Sequence, residues 1–121
     1  TFGHAYESTL NFSKKLNHGQ AVLLGMVSAI KLSKQLRILS KKNYNDIFNH
    51  FKELSLPNDL SKYFSIKDIR KIIYFMKNDK KNIDNYINLI LLSNLGKTFY
   101  YKISKKILEK FFIKELNKQN F

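Results

Sequence analysis

The sequence predicts a mainly α-helical domain with one small β-hairpin. Three observations carry that expectation. Apolar residues recur at three-to-four spacing between His18 and Leu36, the period of one helix face. Ser65 is followed three residues later by Asp68, ahead of a second apolar face; such reciprocal caps mark helix starts. Two short runs rich in branched and aromatic residues, 86–92 and 98–102, flank a turn-like Ser93-Asn94-Leu95-Gly96-Lys97, the pattern of a hairpin.

Taken in order, the chain opens with Thr1-Phe2-Gly3-His4-Ala5-Tyr6-Glu7. Glu7 follows His4 by three residues, so a helix would place both on one face. Ser13-Lys14-Lys15 is a loop. The helix from His18 to about Leu36 has a broad apolar face, with Lys31, Lys34 and Gln35 on its polar side. Its small residues Gly19, Ala21, Gly25 and Ala29 permit close approach of another backbone. A helix over Tyr44–Leu54 follows, with Asn43 as its N-cap and Ile47, Phe48, Phe51 and Leu54 apolar. Leu56-Pro57-Asn58-Asp59 is a turn, because proline fixes its own φ and restrains the residue before it. The helix that begins at Ser65 presents Ile66, Ile69, Ile73 and Met76. The polar run 78–82 ends it, and the hairpin follows. Ser104 caps a last helix whose apolar residues are Ile107, Leu108, Phe111, Phe112 and Leu116. No repeat and no Pro- or Gly-rich linker divides the chain, so residues 1–121 read as a single helical domain.

The formal charge is +13, which raises nucleic acid or an anionic membrane as a partner. Two facts weigh against that. Only Arg37 and Arg70 are arginines among 22 basic residues, whereas bidentate recognition of bases and phosphates favours arginine. The lysines are also spread through every segment. The surplus of Lys, Asn, Ile, Phe and Tyr fits an AT-rich coding bias, and a basic pocket for a small anion remains open. No run of about 18 apolar residues forms a membrane span. With no cysteine, thiolate metal sites and disulfides are excluded, which is compatible with a reducing cytoplasm.

His4 and His18 each neighbour a glycine at the mouth of an apolar stretch, in a chain with three histidines. Singly, such a histidine is more often a cap or core residue; the repeated context is what singles these out. Zinc needs three or four N, O or S ligands; the chain offers two histidines in a matching glycine context, Glu7 and scattered carboxylates, so a complete site from this chain alone is not expected. Glu7 is either a carboxylate that orients the His4 imidazole or a solvated residue. His50, on an amphipathic helix without such context, reads as structural. Asp79-Lys80-Lys81 offers ammonium groups to an anion, although a charge run at a helix end is usually a solvated turn. Gly96-Lys97 lacks the glycine pattern of a phosphate loop. No Ser-His-Asp order or nucleophile elbow is present, and the aromatic residues fall at core spacings.

Together these stretches resemble the C-terminal domain of 3-dehydroquinate synthase. That family carries Gly-His-Thr-Phe-Gly-His-Ala, a Glu soon after, then Leu-x-His-Gly-Glu-Ala-Val-x-x-Gly-Met. This chain has Thr1-Phe2-Gly3-His4-Ala5-Tyr6-Glu7 and Leu16-Asn17-His18-Gly19-Gln20-Ala21-Val22-Leu23-Leu24-Gly25-Met26. Leu56-Pro57, Asp79-Lys80-Lys81, Ile87 to Leu92 and Gly96-Lys97 follow in the family's order. The resemblance implies His18 as a zinc ligand and His4 as the proton-transfer residue near the substrate. It implies Lys80 or Lys81 as the contact to the anionic substrate. Gln20 stands where the family has Glu.

The implied reaction converts 3-deoxy-arabino-heptulosonate 7-phosphate to 3-dehydroquinate and phosphate, on the route to aromatic amino acids. NAD transiently oxidises a ring alcohol, phosphate is lost, and reduction and aldol closure follow. The implied cofactors are NAD and Zn2+ (or Co2+), and the implied partners are the phosphorylated sugar acid, an N-terminal NAD-binding domain and a second subunit. Neither specific nucleic acid nor membrane is implied, and the implied setting is the cytoplasm or a plastid-like organelle. The family's other zinc histidine lies one residue before Thr1, and its zinc glutamate and NAD domain lie farther upstream. The expectation is therefore a truncated helical metal and substrate domain, inactive alone. The rival readings are another sugar-phosphate cyclase, a basic module that binds nucleic acid or membrane, and a degenerate domain kept for assembly.

Overall fold

The computed structural model describes residues 1–11, 15–77, 86–94 and 96–117. Among them are five α-helices and a two-stranded antiparallel hairpin. The helices are α1 (Phe2–Thr9), α2 (His18–Gln35), α3 (Lys41–Glu53), α4 (Ile69–Lys77) and α5 (Lys105–Leu116). The strands β1 (Tyr86–Asn94) and β2 (Lys97–Ser104) lie between α4 and α5. Two 3-10 turns, Leu60–Lys62 and Ile66–Asp68, lead into α4. The mainly helical class with one hairpin is what the periodicity predicts. No helix of the described residues is long and apolar enough to cross a membrane.

Four of the five helix starts have a local cap. Asn17 caps α2 by accepting from the Gln20 N–H at 2.8 Å, while the Gln20 amide oxygen accepts from the Asn17 N–H at 2.9 Å. The expected Ser65–Asp68 capping box forms, on the 3-10 turn that precedes α4. Ser104 caps α5 through the Ile107 N–H at 3.3 Å. One cap is a correction. Helix α3 begins three residues earlier than its apolar face suggests, with Ser40 and not Asn43 as N-cap; the Asn43 N–H is the donor to the Ser40 hydroxyl. The first turn is the polar Lys41-Lys42-Asn43, and a helix start without an apolar residue leaves no period to read.

The main core joins α1, α2, α4, α5 and the inner face of the hairpin. Its centre is aromatic: Phe2, Tyr6, Phe64, Phe111 and Phe112 pack with ring centroids 5.3–6.5 Å apart, the range in which tilted and edge-on contacts are favourable. Ile87, Leu89 and Leu91 of β1 point into it by strand alternation. A smaller core holds α3 against α2 through Val27, Ile30, Leu39, Tyr44 and Phe51. Ile107, expected on the inner stripe of α5, is instead 45% exposed; Leu108, Phe111 and Phe112 fill that stripe and leave Ile107 at its edge.

Lys31 also departs from expectation. It lies buried, not on a polar side, with its ammonium 3.0 Å from the Glu115 carboxylate and 3.1 Å from the Asn58 carbonyl. Glu115 is buried too, on α5. The approach of α5 turns a position that is polar by helix period into an interior one. Periodicity along one helix carries no information about which other element covers it.

The helix crossing that builds the site is set by glycine. A Cβ on Gly25 would stand 2.8 Å from the Gly3 backbone nitrogen, and one on Gly3 would stand 3.0 Å from the Ala21 carbonyl oxygen. The α1 and α2 backbones therefore touch directly, as the run of small residues predicts. About two turns farther along α2, the buried Ser33 hydroxyl donates to the Ala29 carbonyl at 2.6 Å and accepts from the Leu92 N–H at 3.1 Å. That bond ties β1 to α2 where the hairpin register shifts, between Leu92 and Asn94. Gly96 closes the turn with φ +77°, a conformation that glycine adopts without steric cost.

Candidate functional site

The α1–α2 crossing and the hairpin enclose an open cleft of about 520 Å³, within the range of small-molecule sites. One end is polar and holds His4 and Glu7 from α1 and His18 from α2. The other is apolar, formed by Val22, Met26 and Ile30 of α2 and Leu89, Ile90 and Leu92 of β1, with Thr98 of β2 at its margin. Val22, Met26 and Ile90 remain about half exposed.

Helix geometry puts the polar groups there. Phe2, Ala5, Tyr6 and Thr9 form the buried face of α1, which leaves His4 and Glu7 on the cleft side. His18 is the first residue of α2, directly after the Asn17 cap. The Glu7 carboxylate lies 2.9 Å from His18 Nδ1. The Glu7 side chain is 13% exposed and the His18 ring 78% exposed. Glu7 and His4 thus share a face as the sequence predicts, but the hydrogen bond joins Glu7 to His18. The i,i+3 rule looks only along one helix. The partner comes from the next helix, and no local pattern signals that pairing; the facing glycines at 3 and 25 are the nearest clue.

A carboxylate-held Nδ1 is the usual arrangement of a metal-ligating histidine, since it fixes the ring and leaves Nε2 as the ligating atom. In that respect His18 fits a metal. Among the described residues no group of three His, Cys, Asp or Glu side chains could hold an ion; the structure shows one histidine held in an orientation that suits a metal. His4 is exposed on the same cleft. His50 is exposed on α3 and does not line the cleft. Lys80 and Lys81, with Asp79, lie outside the described residues. Gln20 makes the reciprocal cap of α2, a role for which glutamine and glutamate serve alike.

Beneath the site, the Tyr6 phenol is fully buried and shares a hydrogen bond with the Ser28 hydroxyl. Burial holds that phenol well above its ordinary value; the Ser28 bond works the other way, and the Glu115 charge adds to the rise. Tyr44 is displaced in the same direction, first by burial and then by Glu115.

The helical fold with its hairpin has a counterpart of known structure. It superimposes with a TM-score of 0.72 on 2-deoxy-scyllo-inosose synthase, solved in complex with carbaglucose-6-phosphate, NAD+ and Co2+; the match covers 95% of this chain and 34% of that one, at 19% identity. The two chains share a fold over that span. The family model described as 3-dehydroquinate synthase C-terminal matches residues 1–82. The 3-dehydroquinate synthase of Pelagibacter ubique is 45% identical over 119 residues, covering 98% of this chain and 32% of its own length. That of Francisella tularensis (strain WY96-3418) is 36% identical over 115 residues, covering 92% and 30%. The chain belongs to the 3-dehydroquinate synthase C-terminal family and spans about one third of the length of these relatives.

Proposed function

We propose that this chain is the metal- and substrate-binding domain of a 3-dehydroquinate synthase, acting on 3-deoxy-arabino-heptulosonate 7-phosphate. The observation that carries this reading is the Glu7–His18 pair at 2.9 Å in the cleft that also holds His4. His18 Nε2 would contribute one ligand to Zn2+ or Co2+. A bound metal supplies a Lewis acid and a template for substrate hydroxyls, and NAD supplies reversible oxidation of a ring alcohol.

The chain's own residues do the rest. His4 is placed to move a proton at the substrate, the task for which imidazole is suited near neutral pH. Lys80 or Lys81 would hold the substrate's carboxylate or phosphate as a point charge. The apolar wall of the cleft, from Met26 to Ile90, keeps water from one side of the ring. The NAD-binding portion corresponds to the part of the relatives that this chain does not span, and a second subunit completes the proposed assembly.

The test joins this sequence to the upstream region of the Pelagibacter relative and measures phosphate release with NAD and Zn2+. The chimera releases phosphate, whereas this chain alone does not. His18→Ala abolishes metal-dependent turnover, a loss of about 100-fold or more given the charge stabilisation a metal provides. His4→Ala slows turnover by roughly 10²–10⁴-fold while metal still binds. A folded chimera that binds NAD and zinc yet releases no phosphate would falsify the reading; a substrate panel then separates other phosphorylated sugars.

A further inference from the structure

We infer that Glu7 is the positioning residue of the metal site: its carboxylate fixes which nitrogen of His18 carries the proton and leaves Nε2 to ligate. This rests on the reading of His18 as a metal ligand and adds to it a residue that helix spacing would assign to His4. Three observations converge. The carboxylate–Nδ1 distance is 2.9 Å, a hydrogen bond of good length. The acceptor is nearly enclosed, at 13% exposure, while the ring it holds is 78% exposed. The helices that carry the two groups touch backbone to backbone at Gly3 and Gly25, so their separation is set by hard contact.

An ion pair with one partner this exposed adds little to stability. What it does control is the tautomer. In a neutral imidazole one nitrogen donates and the other accepts, and the hydrogen bond at one decides the state of the other. A carboxylate accepts only, so Nδ1 must carry the proton and Nε2 the lone pair. Free histidine side chains favour the opposite tautomer, with the proton on Nε2. Glu7 therefore removes a population that cannot ligate through Nε2.

Long-range proton–nitrogen NMR of the imidazole rings, on this chain at mildly alkaline pH, reads the tautomer directly. In the wild type His18 is the Nδ1–H form and the exposed His50 the Nε2–H form. Glu7→Ala converts His18 to the Nε2–H form with little change in melting midpoint. Glu7→Gln gives a mixture of the two forms, because the amide can accept from Nδ1–H or donate to a bare Nδ1. Zn2+ titration of the chimera that carries the upstream region of the Pelagibacter relative then shifts the His18 ring signals, and Glu7→Ala weakens that response by about 10–100-fold. A wild-type His18 in the Nε2–H form, or a tautomer that ignores Glu7→Ala, overturns the role of Glu7 and leaves His18 as ligand intact. Tautomers that behave as expected beside a His18 ring that ignores zinc overturn the metal reading itself, and the positioning role with it.

Discussion

Tyr6 shows how one side chain beneath the cleft couples folding to pH. Its phenol is fully buried and held above its ordinary value by desolvation, against the pull of the Ser28 hydrogen bond and with the Glu115 charge. The unfolded chain releases this proton near the ordinary value of 10.0; the native chain keeps it. Above that pH the native state binds more protons, so stability declines as pH rises, while below it both states are protonated and the contribution is constant. Tyr44 acts with the same sign. Urea unfolding as a function of pH checks this. Tyr6→Phe costs about 1 kcal/mol near neutrality through the lost Ser28 bond, and it flattens the decline above pH 10. An equally steep decline in Tyr6→Phe would assign the effect elsewhere. Burial of Tyr6 was legible in the sequence as part of an apolar stretch. Its partner Ser28 was not, since a serine within an apolar helix face carries no sign of whom it meets.

At the scale of elements, the helix ends are as informative as the starts. Helix α2 ends with Arg37 at φ 61° and α3 with Ser55 at φ 54°. In both, the next two amides fold back: Arg37 N–H to the Lys34 carbonyl and Ile38 N–H to the Ser33 carbonyl, then Ser55 to Lys52 and Leu56 to Phe51. This is the left-handed cap in which glycine is usual. An L-residue there carries roughly 1–2 kcal/mol of steric cost, partly offset by glycine's greater freedom when unfolded. Arg37→Gly and Ser55→Gly therefore each stabilise by about 0.5–1 kcal/mol, read as a higher thermal midpoint; a drop in both would show that the left-handed geometry is not strained here. These caps were invisible in the sequence because no glycine marks them. The Ser65–Asp68 box, the Ser104 cap and both strands were legible because each pairs a local motif with a clear apolar period. The α3 start was displaced because Asn43 and Ser40 are both good caps and the first turn is polar. The candidate cleft was half legible: motif placed His4 and His18 together, but only the crossing of two helices reveals that Glu7 serves His18.

At the scale of the whole molecule, the buried Lys31–Glu115 pair joins α2, which begins at His18, to α5 near the other end of the chain. The Asn58 carbonyl and the Phe48 ring, 5.3 Å from the ammonium, share its charge. Removing one partner takes the nearest opposite charge from a buried group, so Lys31→Met or Glu115→Leu alone costs about 3–5 kcal/mol, whereas the double substitution costs much less than the sum. A double-mutant cycle by chemical denaturation measures the coupling, and additive costs would sink this account. The cleft itself is held on two sides by different means. Its α1 wall rests on the Gly3–Gly25 contact, and its hairpin wall on the Ser33 hydroxyl that receives the Leu92 amide. Leu92 lines the cleft, so the hairpin cannot swing outward without breaking the bond from the Leu92 amide to the buried Ser33 hydroxyl. A ligand entering such a site finds its walls already in place and loses little freedom in ordering them. The selectivity of the cleft is then a matter of shape fixed in advance: a molecule that does not fit meets backbone and a hydrogen bond, not a surface that yields.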